Sequence, residues 1–108
     1  MRKITREAIK QYASSVKVYY RGMRYYAAHA VSNVTWNDSI KQYKGIVKGS
    51  NQYIVTVQVE EDGNMIYSCN CPSHVKLSGA CKHVIAMMLF IADYQQREDA
   101  KVNLKGED

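Results

Sequence analysis

Cys69-Asn70-Cys71 and, nine residues further on, Cys81-Lys82-His83 place three thiols and one imidazole in two short clusters. Residues two apart on an extended chain project the same way, so the sulfurs of Cys69 and Cys71 can converge on one ion. Pro72 biases Cys71 toward extended backbone angles and keeps that pair out of a helix. On a regular helix, positions two apart fall on opposite sides, so Cys81 must precede a helix or cap it, with His83 in the first turn. Three thiolates and a neutral imidazole make a closed tetrahedral set of the kind zinc takes, at roughly 2.3 Å for sulfur and ~2.0 Å for nitrogen. Such a set leaves no position for an activated water, which argues against metal-assisted hydrolysis and for a structural, non-enzymatic site. The thiolates outweigh the dication, and both the positive end of a helix beginning near His83 and the charge of Lys82 favour that balance. Two other readings of the same residues are buried reduced cysteines beside a helix-start histidine, and a redox pair of Cys69 and Cys71. His74, in the intervening loop, is an alternative ligand or a solvated surface residue, and His29 is given no role.

The elements that must hold these ligands follow from periodicity. Ile4, Ala8, Ile9 and Tyr12 repeat at helical spacing up to Ser14-Ser15, which predicts an amphipathic helix over Ile4 to Ala13. From Val16 to Ala30 the pattern is divided: Val16, Val18 and Tyr20 alternate like a strand, Tyr19, Met23 and Tyr26 repeat like a helix, and Gly22 weakens both. Val31 to Trp36 reads as a strand closed by the turn pair Asn37-Asp38, and Ile40 to Lys48 as a second. After Gly49-Ser50-Asn51, the residues Tyr53, Val55, Val57 and Val59 alternate with polar ones in a third strand. Beyond the turn at Asp62-Gly63-Asn64, Met65, Tyr67 and Cys69 share one face of the last strand. Val84 to Tyr94 predicts the final helix, apolar nearly all round its first half, so that one face is expected to meet the sheet and another a second domain or subunit. The fold class is therefore α+β: a small antiparallel β-meander of three to four strands, with an N-terminal helix or helices and a C-terminal helix, tied by one zinc site. Residues 1–95 are expected to form a single domain, with a helical part over 1–30 and the sheet and zinc core over 31–95, and 96–108 a polar tail or linker.

At 108 residues, with 46% hydrophobic and 23% charged residues, the chain suits one folded domain small enough for a metal to matter to its stability. Met1 to Lys10 is charged throughout, without the apolar core of a signal peptide. The longest apolar run, Val84 to Ala92, is about half the ~18 residues of a membrane span. A cytoplasmic protein that spans no membrane is the expectation, and there three cysteines would stay reduced and free to bind metal. The net charge of +5 is uneven: residues 1–50 hold ten Lys/Arg against two acids, and residues 51–108 five against eight. The basic half suits an anionic partner, or simply solubility.

The pattern Cys-X-Cys, nine residues, Cys-X-His, set after a strand hairpin and before an apolar helix, resembles the SWIM zinc-binding domain. The likeness takes in Gly49-Ser50 with Tyr53 and Val55, Cys71-Pro72, and Cys81-Lys82-His83-Val84, about half the chain. Tyr20-Arg21-Gly22 with Tyr25 and Tyr26 also resembles the region ahead of this domain at the front of bacterial Swi/Snf-like helicases. The resemblance implies a module associated with DNA binding or protein interaction. The chain has no Gly-X-X-X-X-Gly-Lys-Ser/Thr loop, so a helicase motor would lie outside it.

Two functions are expected from these residues. Arg21, Arg24, Lys41, Lys44 and Lys48, interleaved with Tyr19, Tyr20, Tyr25, Tyr26 and Tyr43, suit DNA or other nucleic acid, since cations meet phosphates and rings stack on bases. The alternative is a protein-docking module that offers the apolar Val84 to Ile91 run to a protein partner or an adjoining helicase domain. A thiol-dependent enzyme is disfavoured because all three cysteines are committed as ligands.

Overall fold

The computed structural model describes residues 3–72 and 79–107, with side chains through 97. Helix α1 covers Arg6–Tyr12; the side chain of its N-cap Thr5 accepts from the Ala8 N–H, Glu7 sits in the first turn, and Ile9 is buried. Ser15, which ends the first periodic stretch, also starts the next, because its hydroxyl accepts from the Val18 N–H at the head of α2, Val16–Ala27. Helical period therefore prevails over the divided pattern: Tyr19 and Gly22 are buried while Val16 and Tyr20 stand in solvent. Chain reversal after α2 is made by His29 at φ 59°.

Strands β1 (Val31–Asn37), β2 (Gln42–Lys48), β3 (Gln52–Val59) and β4 (Met65–Cys69) form an antiparallel meander in the order β1-β2-β3-β4. The second strand starts at Gln42 rather than Ile40. Asn37 Oδ1 accepts from the N–H groups of Ser39 and Ile40, and Lys41 takes a positive φ, so the turn consumes two residues expected in the strand. Tyr43, Val47, Val55, Val57, Val59, Met65 and Cys69 face inward as period two requires.

Helix α3, Lys82–Glu107, runs across that inner face. Val84 to Leu89 and Ile91 are all at most 1% exposed. The second cover expected from another domain or subunit is supplied by the chain itself, as α1 and α2 pack on the side of α3 turned from the sheet. Within this chain the run is buried apart from Phe90, which is partly buried. Gly22 permits the close approach of α2: a Cβ there would lie 2.5 Å from Ile85 Cγ2. Helix α3 also continues beyond Tyr94, so the stretch expected as a tail is helical to Glu107. Gln95, near that expected boundary, is buried, and its side chain accepts from the Ile4 N–H at 2.9 Å. Tyr26 hydrogen-bonds to Asp93, a second tie between α2 and α3. Among the described residues, no helix is long and apolar enough to cross a membrane.

Candidate metal centre

Cys69 closes β4, paired with Val55, and is turned inward. Past the strand's end, Asn70 carries the ladder on: its Oδ1 accepts from Ile54 N–H at 2.9 Å and its own N–H donates to Ile54 C=O at 3.4 Å. The chain then bends at Cys71, whose N–H donates to Cys69 Sγ, so that the two sulfurs come together. Cys81 immediately precedes α3; its carbonyl accepts from Ile85 N–H at 3.0 Å and its sulfur from Val84 N–H. It thus stands at the N-cap, with His83 in the first turn. Just before it, Ala80 N–H donates to Tyr12 C=O at 2.9 Å and its C=O accepts from Ser14 N–H at 3.2 Å. The joint between α1 and α2 therefore fixes the residue preceding a ligand.

The four ligand atoms lie within 4.8 Å of one another, and all four residues are buried. Cys71 Sγ is 3.8 Å from Cys81 Sγ, and His83 Nδ1 is 3.9 Å from Cys69 Sγ and 4.0 Å from Cys81 Sγ. A tetrahedron with metal–sulfur bonds of ~2.3 Å has sulfur–sulfur edges of about 3.8 Å, so the donor spacing fits zinc. A hydrogen bond from the Cys69 thiol, aided by the His83 ring and the Val84 N–H, pushes the Cys81 pKa down to about 3 against the opposing effect of burial. The same shared proton, together with burial, pushes Cys69 up. The pair therefore favours a thiolate on Cys81 over one on Cys69, and binding a metal requires the thiols to give up their protons. The readings as inert buried thiols or as a redox pair leave this convergence on a common point without a purpose. Zinc, when bound, joins the end of β4 to the start of α3.

His74 lies outside the described residues. The five cations expected at a nucleic-acid surface are all exposed, but they fall on two layers. Arg21 and Arg24 stand on α2. Lys44 and Lys48 alternate with the buried Tyr43 and Val47, so they face outward from the sheet, on the far side of α3. Lys41 forms an ion pair with Asp38 at 3.1 Å and belongs to the β1–β2 turn.

Sequence reasoning missed the groups around the ligands. Tyr53 lies against the His83 ring with centroids 4.4 Å apart at 31°, and Tyr25 meets it edge-on at 5.3 Å and 60°. Both tyrosines drew attention as a strand residue and as a stacking ring, yet nothing in their spacing points to a histidine 30 or more positions away. Asn70 did carry a signal, since an Asx side chain between two ligands is suited to imitate backbone.

Residues 55–92 match the family model of the SWIM zinc finger, a stretch that runs from within β3 into α3 and contains all four ligands. No curated protein and no solved structure matches the chain.

Proposed function

We propose that this zinc-binding SWIM module is a non-enzymatic, cytoplasmic element that contacts nucleic acid through the outer face of α2. The observation that carries the reading is one stripe. Lys17, Tyr20, Arg21 and Arg24, spaced to share a helix face, are all exposed, and no Asp or Glu occurs between Glu7 and Asp38. Three cations there can meet successive phosphates, and Tyr20, half exposed, offers a ring for stacking on an unpaired base. The closed ligand set gives zinc a structural part, holding together the framework on which α2 rests. The likeness of Tyr20-Arg21-Gly22, Tyr25 and Tyr26 to the front of Swi/Snf-like helicases supports a place beside such a motor.

The test is a titration of labelled duplex and single-stranded DNA over a salt series. Micromolar or weaker binding is expected, with a log–log salt slope of about −3 for three phosphate contacts. A chain with Lys17→Glu, Arg21→Glu and Arg24→Glu together should bind at least about tenfold more weakly, while Lys44→Glu with Lys48→Glu on the opposite layer changes little. Absence of binding by the unaltered protein at low salt removes nucleic acid as the partner. Equal losses from both variants would remove the α2 stripe as its site.

A further inference from the structure

Beyond the identity of the ligands, we infer that His83 takes zinc through Nδ1 and that the hydroxyl of Tyr25 accepts the proton its Nε2 then carries. This inference is independent of any nucleic-acid contact. Nδ1 is the ring nitrogen turned to the sulfurs, 3.9 Å from Cys69 and 4.0 Å from Cys81. A neutral imidazole bound through one nitrogen is protonated on the other. Nε2 is buried and has no hydrogen-bond partner among the described groups. A metal-bound histidine almost always donates its second ring proton, because that bond fixes the tautomer and makes the ligand more basic.

The surroundings of Nε2 point to Tyr25. The Tyr53 hydroxyl is engaged with Ser50 Oγ at 3.1 Å. A Cβ placed on Gly49 would lie 3.2 Å from His83 Nε2 and 3.2 Å from Tyr25 Oη, so the ring nitrogen and this hydroxyl border the same small space above the glycine. Glycine at 49 keeps that space clear, and the Tyr25 hydroxyl is the acceptor that borders it. Lys82 Nζ, in the first turn of α3, lies 5.8 Å from the centre of the Tyr25 ring, a cation–ring contact that helps hold the ring beside the site. Tyr25 is thus a positioning residue, and through it α2 reaches a zinc ligand.

Two measurements on the full chain test this. Long-range proton–nitrogen NMR of the zinc-loaded protein should show His83 Nδ1 in the metal-bound range and Nε2 carrying a slowly exchanging proton. Tyr25→Phe keeps the ring contact and removes the acceptor; zinc affinity, measured by competition with a chromophoric chelator, should fall about tenfold, and the Nε2 proton should exchange faster. The melting temperature of the zinc-free form should be unchanged by that substitution, which separates loss of the acceptor from loss of packing. Metal bound at Nε2, or a Tyr25→Phe protein with unaltered affinity and exchange, would overturn the inference.

Discussion

Asn70 shows how a residue between two ligands can matter without touching the metal. Its amide completes the pairing with Ile54 beyond the last regular residue of β4, and so anchors the start of the bend that brings the sulfurs of Cys69 and Cys71 together. Asn70→Ala removes the acceptor for Ile54 N–H, an expected loss of about 1 kcal/mol. For a domain of this size that corresponds to a fall of roughly 4–8 °C in melting temperature. Scanning calorimetry of the zinc-loaded variant checks it, and an unchanged transition would show the ladder extension to be inconsequential. The ligands themselves were legible in the sequence because thiols and imidazoles at such spacings have few other uses. Tyr25 and Tyr53 were not, because their partners are chosen by strand register and helix packing, which act between residues far apart in the chain.

At the scale of elements, the antiparallel meander was readable from period-two alternation in Tyr53 to Val59 and Met65 to Cys69, where one face is buried and the other is wet. Helix α2 was not, since a run of tyrosines and valines satisfies both periods, and Gly22 speaks against either element on propensity alone. Its position explains it: Gly22 is where α2 crosses α3, and the approach leaves no room for a methyl group beside Ile85. Gly22, Tyr25 and Tyr26 thereby acquire packing roles, against Ile85, His83 and Asp93 in turn. Gly22→Ala would raise intrinsic helix propensity by about 1 kcal/mol, yet forcing the helices apart costs typically ~1–3 kcal/mol. A net destabilisation is therefore expected in urea denaturation; a more stable Gly22→Ala protein would contradict the crossing as described. Past Tyr94 the polar composition of α3 suggested an end, but the stretch to Lys105 contains neither Gly nor Pro, and loss of apolar residues alone does not stop a helix.

For the whole molecule, the decisive relation is that α3 lies between two layers, with the sheet on one side and α1 and α2 on the other. That placement uses up the apolar run and divides the basic half of the chain between opposite surfaces, which composition alone does not reveal. It also predicts how far the influence of zinc extends. Small fingers unfold without metal because the metal supplies most of their free energy. Here Val47, Val57, Met87, Met88, Leu89 and Ile91 are fully buried, an apolar core expected to persist when zinc is removed. Removing zinc should therefore open the junction rather than the domain. Amide exchange is expected to accelerate over residues 68–71 and 80–85 while the centre of β2, β3 and α3 stays protected, and the melting temperature to fall by about 10 °C or more. In the zinc-free protein the Cys69 thiol holds Cys81 below the ordinary thiol range, so the contribution of Cys81 to stability is present above that range and is lost progressively as pH falls below it. Hydrogen exchange with and without chelator distinguishes the cases, since uniform loss of protection would mean that zinc holds the entire fold, and unchanged protection near Cys71 and Cys81 would mean that it holds none of it.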